Sequence, residues 1–488
     1  MFCRHLAKRF LLARSYSTSQ KAIFLTEKEL QSLDLNQEGK ILVKELKEET
    51  YDDTDYFRIS KEAEFGSKRI GRVQLPKPLI DGISALIEEH EKPLIREDAL
   101  RIFKSYQLRY SSPKPSDVIS KGKRTGQLQQ PEQPFRITYG ARESIAYAAG
   151  LLPSSFAATY SVMKEIAKRM PSFKPQSMLD FGTGPGTAIW AAKEVFDIQR
   201  CMGVDLSEEM LSVAEKLERY IKKEKDQPIE FSRFLSFNPN SPKNDLVVST
   251  FTLGDLPSKA IQKSTVEQLW KQTDDVLVLI DKGTPVGYKN IAMARQWILN
   301  LEGLNKVHTV APYPHDYPCP LLYSPEANIT KMWSHFSQQL ERPAFLMKTK
   351  HSKSNKEDIK YSYVILRRGP RPTVTSEGND QNMEVQAYSW PRLIQPPIKK
   401  KGHVIMDIFA KTGEVQRMII PKSQGKVEYR DARKSNWGDL FPHISKNKLV
   451  TRFSRGEHIL DEELDEEFGG RKKDEKKANK LKKKKRDD

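Results

Sequence analysis

Apolar residues follow two rhythms along this chain, and the change between them divides it. Leu79, Ile83, Leu86 and Ile87 recur at helical spacing and predict a helix over 75–90. A second helix is expected over 96–106, with Asp98 near its start, and helical character resumes over 139–170. Between them, 111–134 is polar and proline-rich, as a linker or loop would be. From 176 onward short apolar runs alternate with helical patterns. Strands are predicted at 177–181, 201–206, 245–251 and 275–281, and helices at 187–196, 208–223, 265–273 and 289–300. A later strand, 361–367, would join the same sheet. Strands alternating with helices predict an α/β fold with a doubly wound parallel sheet behind a helical N-terminal region. A Gly/Pro/Ser-rich linker is expected at 369–385. Beyond it, the runs 403–409 and 415–420 are separated by Lys411-Thr412-Gly413, the pattern of a hairpin. The expected layout is a helical region at 71–170, the sheet domain at 171–368 and a small β module at 386–445. Residues 21–70 and 446–488 are expected to be poorly ordered.

Charge changes this picture at both ends. The 488 residues include 82 Lys and Arg against 64 Asp and Glu, a net charge of +18. Residues 471–486 hold eleven basic and two acidic side chains, so half the excess sits in the tail. The other half is spread through the body, which points to a polyanionic partner, most simply a nucleic acid. The first 26 residues contain Arg4, Lys8, Arg9, Arg14 and Lys21 and no acid. Leu6, Phe10, Leu11 and Leu12 share one helical face there, and a Ser-rich stretch follows. An acid-free amphipathic start of this kind predicts a mitochondrial transit peptide over about 1–20. No apolar run approaches 18 residues, so no membrane-spanning helix is expected. Three cysteines, Cys3, Cys201 and Cys319, are too few for a disulfide framework or a four-cysteine metal site.

Candidate chemistry concentrates in Leu179-Asp180-Phe181-Gly182-Thr183-Gly184-Pro185-Gly186-Thr187. A strand leads into three alternate glycines and a helix follows. Glycine permits positive φ and lets a ligand approach the backbone closely. The Gly-x-Gly-x-Gly spacing is neither the dinucleotide fingerprint nor a phosphate loop ending in Gly-Lys-Ser/Thr. With Asp180 it resembles motif I of class I S-adenosylmethionine-dependent methyltransferases, whose fold is Rossmann-like. Asp205 ends the second predicted strand, where an acid accepts hydrogen bonds from ribose hydroxyls. Asp180, Gly182, Gly184, Gly186 and Asp205 are therefore the candidate cofactor-binding residues. The Asn/Asp-Pro-Pro-Tyr tetrad of amino-group methylases would follow the 245–251 strand. That place reads Ser249-Thr250-Phe251-Thr252-Leu253-Gly254, so no acceptor motif is present.

Further stretches carry a fuller resemblance. They include Gly283-Thr284-Pro285-Val286-Gly287-Tyr288, Ala311-Pro312-Tyr313-Pro314-His315, Trp390-Pro391-Arg392, Lys401-Gly402-His403 and Tyr429-Arg430-Asp431-Ala432-Arg433. Over roughly 75–445 the chain resembles the methyltransferase-like family of the mitochondrial ribosomal small subunit. The resemblance implies a matrix protein that binds small-subunit rRNA, ribosomal proteins or assembly factors and supports mitochondrial translation. Two roles are open: an assembly factor or subunit component on a SAM-binding platform, or an active rRNA methyltransferase. A methyltransferase unconnected with ribosomes fits the basic C-terminal half poorly.

The resemblance also implies four cysteine ligands for an iron–sulfur cluster. The matching positions are Tyr313, Cys319, Ser334 and Phe409, so one thiol remains. The cluster is not expected here. Cys319, with His315, His335 and His403 nearby in sequence, is the remaining metal candidate. For RNA, Lys399, Lys400, Lys401, Lys422, Lys426, Arg430, Arg433 and Lys434 are interleaved with Tyr429 and Trp437. Cations suit phosphates and aromatics suit bases.

Overall fold

The structure, a computed structural model, describes residues 59–110, 138–222, 226–235, 242–303, 305–330, 332–373 and 382–456. The expected transit peptide, the proline-rich stretch 111–134 and the Lys-rich end lie outside the described residues. At the centre is an eight-stranded sheet. Its strands are β1 Ser177–Phe181, β2 Arg200–Val204, β3 Glu230–Ser232, β4 Asn244–Thr250, β5 Thr273–Lys282, β6 Val307–Ala311, β7 Phe336–Glu341 and β8 Lys356–Arg368. The order is β3-β2-β1-β4-β5-β8-β6, with β7 beside the first half of β8. Strands β1 to β5 pair in parallel, and β8 runs antiparallel to β5, β6 and β7. The predicted doubly wound sheet is present, with an antiparallel strand inserted near one edge.

Alternate residues explain why the sheet needs helices on both sides. Val276, Val278 and Ile280 of β5 face one core, which includes Ala148, Phe156 and Val162. Leu277 and Leu279 face the other, with Val266, Trp270, Ile291 and Trp297. All five β5 side chains are fully buried. Strands covered on both faces read as continuous apolar runs.

The helices differ from expectation mainly at their ends. The first two predicted ones are Lys77–Glu88 and Lys92–Tyr110. The single stretch 139–170 is two helices, Ala141–Gly150 and Leu152–Arg169, because Pro153 begins a new helix more easily than it continues one. Strands β3, β6 and β7 lie outside the predicted ones.

Two segments expected to be poorly ordered are in part built into the fold. Residues 61–66 are helical, and just past the segment, in the region expected to be helical, Val73 instead pairs with Leu340 of β7. Lys68, in the same stretch, lies 2.5 Å from Glu165 of helix Leu152–Arg169. Arg392 reaches the other Glu165 oxygen at 2.6 Å, and the Tyr363 hydroxyl donates to Glu165 at 2.6 Å. Burial works to raise the Glu165 pKa, but Arg392 and Lys68 outweigh it and hold the carboxyl well below its ordinary range. The second correction is at the other end. Val450–Phe453 forms a strand, and Phe453 is buried because it pairs with Val415 and joins the apolar cluster that also holds Phe409 and Cys319. The start of the expected linker is also anchored: Arg371 forms an ion pair with Asp316 at 2.7 Å.

The module contains β9 Arg392–Leu393, β10 Ile398–Lys399, β11 His403–Phe409, β12 Val415–Pro421 and β13 Val450–Phe453. β11 and β12 are the predicted hairpin, in continuous antiparallel register from His403↔Pro421 to Phe409↔Val415. A helix, Lys426–Lys434, packs on β11 and β12.

Candidate functional site

The glycine loop leaves the tip of β1 beside the tips of β2 and β4. All three glycines have positive φ, at 73°, 52° and 80°. Two are also fixed by neighbours. A Cβ on Gly182 would overlap the Thr252 side chain, and one on Gly186 would come within 2.7 Å of the Trp190 ring. Gly184 differs, because a Cβ there would meet nothing within 4 Å. Its bare backbone faces a pocket of about 870 Å³ lined by Phe181, Gly182, Gly184, Asp205, Thr250, Phe251 and Thr252 among others.

Asp205 sets the loop. One carboxylate oxygen accepts from the Gly184 N–H at 2.8 Å and the other from the Ser207 N–H at 2.9 Å. Ser207 in turn caps the next helix by accepting from the Met210 N–H at 3.3 Å. Asp180 is fully buried, and its Oδ2 accepts from the Thr183 hydroxyl at 2.7 Å. Its Oδ1 has no hydrogen-bond partner. Burial, with a smaller push from Asp205, raises its pKa to about 7 against the pull of Thr183. The five predicted residues thus converge on one loop. Asp180 stands behind it rather than in the wall.

Several wall residues escaped the sequence reading. Leu206 and Phe234 are large apolar side chains left about two-thirds exposed at the pocket. An apolar residue directly after Asp205, where the strand has ended, was the available signal. Tyr106 and Tyr139 come from the helical region, and their hydroxyls lie 2.8 Å apart over the pocket. The Tyr106 hydroxyl also reaches Asp255 at 3.5 Å.

The metal candidate resolves differently. Tyr313, Cys319 and Phe409 do meet: the Tyr313 and Phe409 ring centroids are 4.7 Å apart, and the Tyr313 hydroxyl is 3.5 Å from Cys319 Sγ. Cys319 is fully buried, and its Sγ lies 2.7 Å from the Tyr288 hydroxyl. The Arg295 guanidinium covers the Tyr313 ring at 4.5 Å. His315 packs edge-on against Tyr313. His335 lies between Trp333 and Trp437, and His403 opens β11. Ser334 is buried, and its carbonyl accepts from the Ser362 hydroxyl. Among the described residues no group of three or more His, Cys, Asp or Glu is placed to hold a metal ion. Burial pushes the Cys319 thiol up, which favours the protonated form that does not ligate iron. The donor set of one thiol, two hydroxyls and a phenyl ring does not fit an iron–sulfur cluster. Cys319→Ala is expected to cost about 1–3 kcal/mol by stranding the Tyr288 hydroxyl, measured as a lower urea midpoint.

The basic candidates form one surface. Lys426, Arg430, Arg433 and Lys434 recur at i, i+4, i+7 and i+8 on one side of their helix. Lys422 lies in the turn before it. Arg433 donates to the Lys400 carbonyl at 3.2 Å and Tyr429 to the Lys401 carbonyl at 3.1 Å, so the 399–401 loop docks against the helix. The opposite side is pinned by Asp431, which accepts from the Ser60 N–H and contacts His443 at 2.7 Å.

A comparison of the sequence with protein families matches residues 141–442 to the mitochondrial small ribosomal subunit protein Rsm22. The chain belongs to the Rsm22 family. The human mitochondrial ribosome assembly protein METTL17 is 34% identical over 319 residues, covering 63% of this chain and 64% of that one. The Rsm22-cox11 tandem protein 2 of Schizosaccharomyces pombe is 30% identical over 348 residues, 65% of this chain and 45% of its own length. The chain therefore spans less than two thirds of either relative. Among solved structures, the magnesium protoporphyrin IX methyltransferase of Synechocystis with bound SAM aligns over 43% of this chain and 85% of its own, at 14% identity and a TM-score of 0.25. The Rsm22 match takes in the glycine loop, the Cys319 cluster and the basic helix together.

Proposed function

We propose that this chain is an assembly factor or component of the mitochondrial small ribosomal subunit, acting in the matrix. It binds small-subunit rRNA through the basic module and holds S-adenosylmethionine in the glycine-loop pocket as a structural ligand. One observation carries the reading: a preformed ligand loop and a basic face share one fold, while the acceptor position after β4 is closed on itself. There, Thr252 Oγ1 donates to the Thr250 carbonyl at 3.1 Å, and Phe251, at φ 58°, packs its ring 4.3 Å from Lys282 Nζ. Both residues line the pocket, yet neither offers the amide or carboxylate with which an acceptor tetrad orients an amine.

The residues fit the ligand. Gly184 gives it open backbone on a loop whose turns Gly182 and Gly186 permit, Asp205 has spare lone pairs for ribose hydroxyls, and behind the loop Asp180 Oδ1 is an unmet buried acceptor. When bound, S-adenosylmethionine supplies an electrophilic methyl group on a cationic sulfur. The competing reading is an active rRNA methyltransferase. It is favoured by the extent of the pocket, which runs past the loop to Tyr106, Asp255 and Gln268.

The test is sedimentation of the tagged protein from mitochondrial lysate. It is expected with the small subunit at moderate salt and off it at high salt, because phosphate contacts are salt-sensitive. Absence from small-subunit fractions at moderate salt overturns the proposal. The purified protein is also expected to contain only background iron; stoichiometric iron would overturn the cluster-free reading.

Asp180 gives a pH prediction. From behind the loop its negative charge favours a cationic ligand through the low-dielectric interior, and its pKa in the free protein is raised to about 7. Affinity for S-adenosylmethionine should therefore fall as pH drops below 7, by up to about tenfold per unit. Asp180→Asn should flatten the profile measured by calorimetry between pH 5.5 and 7.5, a window chosen to keep the ligand's amino group charged.

A further inference from the structure

A second opening lies beside the basic surface. It is a cleft of about 720 Å³ between residues 68–72, β7, the turn carrying Pro396, Pro397 and Lys399, and residues 435–437. Its exposed cations are Arg69, Arg72 and Lys399. Arg72 has partial compensation, with Gln339 Oε1 at 3.2 Å and Glu341 at 3.7 Å. Lys68, also in the wall, is occupied by Glu165. One acid lines the cleft, Asp358, and it accepts from Gln339 Nε2 at 3.2 Å. The cleft is therefore net positive.

The cations of the cleft and of the helix Lys426–Lys434 are not separate patches. Lys399 has its pKa lowered first by partial burial and then by the charges of Arg433 and Lys434, with Asp439 opposing. Like charges held this close cost folding free energy, and a polyanion relieves that cost. The cleft also contains an aromatic. Trp437 lines it, half-buried, with its indole N–H fixed on the Ile394 carbonyl at 2.9 Å and its ring packed edge-to-face with His335 at 4.7 Å. A fixed indole beside several cations is the donor set that holds an unpaired base between its phosphates. The volume of about 720 Å³ lies in the range of small-ligand pockets, enough to enclose an unpaired nucleotide but not a duplex.

We propose that this cleft binds an unpaired RNA segment, with Trp437 against a base and Arg69, Arg72 and Lys399 on the flanking phosphates. The proposal rests on the rRNA-binding reading above and names where and in what form the RNA is held. Three of its members come from places the basic stretch 399–434 does not reach: Arg69 and Arg72 from the N-terminal side, and Trp437 beyond the helix.

The experiment measures binding of the full chain to a fluorescent unpaired RNA oligonucleotide and to a hairpin of the same length. The wild type is expected to prefer the unpaired RNA. The double variant Arg69→Ala/Arg72→Ala should lower the slope of log affinity against log salt by about 1.4, two phosphates at about 0.7 each. Trp437→Leu should weaken binding about tenfold or more, and Trp437→Phe should retain most of it. Should Trp437→Leu fail to fold, 4-thiouridine RNA crosslinked to the wild type decides, with the adduct expected within 435–437. Unchanged binding in the arginine variant together with crosslinks confined to 422–434 overturns the cleft and leaves the rRNA reading intact. No RNA binding by the wild type overturns both. Competition by an acidic peptide but not by unlabelled RNA would reassign the cleft to a protein partner and overturn the proposal.

Discussion

Glu165→Ala is expected to cost about 3–5 kcal/mol, because it leaves Lys68 and Arg392 buried together without a counter-charge. Domains are stable by about 5–15 kcal/mol, so this loss takes a large share of the total. The measurement is a urea midpoint together with soluble yield. An unchanged midpoint would show that the three groups reach water in solution. Replacing one partner of a buried pair costs more than the pair contributes net, so Glu165→Gln should be milder, since the amide still accepts from Lys68 or Tyr363. The pH behaviour follows from the directions of the shifts. Glu165 is held below its ordinary value of 4.5, so its contribution is present above about pH 4.5 and is lost on acidification. Burial opposes the charge on Lys68, but Glu165 outweighs it and raises the Lys68 pKa above its ordinary 10.5, so that contribution is present below 10.5 and lost in strong alkali.

The second large effect concerns the pocket. Gly184→Arg places a long side chain in the space where the loop is open, at a φ of 52° that arginine tolerates poorly. S-adenosylmethionine binding should fall below detection. Asp205→Ala removes the acceptor for the Gly184 and Ser207 N–H groups and should weaken binding about 10- to 100-fold, the worth of hydrogen bonds to a charged group. Both variants should be expressed in place of the wild type while small-subunit assembly, mitochondrial translation and rRNA methylation are followed. Lost assembly with every methyl mark intact would sink the enzyme reading. Loss of one specific mark with assembly intact would sink the structural-ligand reading.

What was legible in the sequence was what local chemistry dictates. Glycines at 182, 184 and 186 announce positive φ, and an acid at the end of the next strand announces the loop it ties down. Four of the five parallel strands follow from apolar runs such as Val276–Ile280, which need cover on both faces; β3, Glu230–Ser232, is three residues with no such run. The helix Lys426–Lys434 carries its cations at helical spacing. Strands β6 and β7 were missed for a physical reason. β7, Phe336–Glu341, buries Phe336, Gln338 and Leu340 alternately, and a buried glutamine in a six-residue run hides the pattern. The salt-bridge cluster was illegible because each member is an ordinary charged residue until the fold brings it to the others. The charged neighbourhood of Lys68 predicts only a poorly ordered extension. The cleft beside Trp437 was invisible for the same reason, since its walls come from six separate stretches of chain.

The separation of Lys68, Glu165 and Arg392 along the chain has a consequence for how the molecule is made. A polypeptide emerging from its N-terminus presents the first two long before the third. Until Arg392 arrives, Glu165 holds a single strong charged partner, and the 59–73 stretch, though its docking site on β7 is already made, lacks its contacts with residues 431 and 439. Closure is therefore a late, long-range event, of the kind that slows folding. A chain cut short before residue 392 should remain open and accessible to proteases. The cluster thus makes the first described residues of the protein depend on the synthesis of the β module more than 300 residues later.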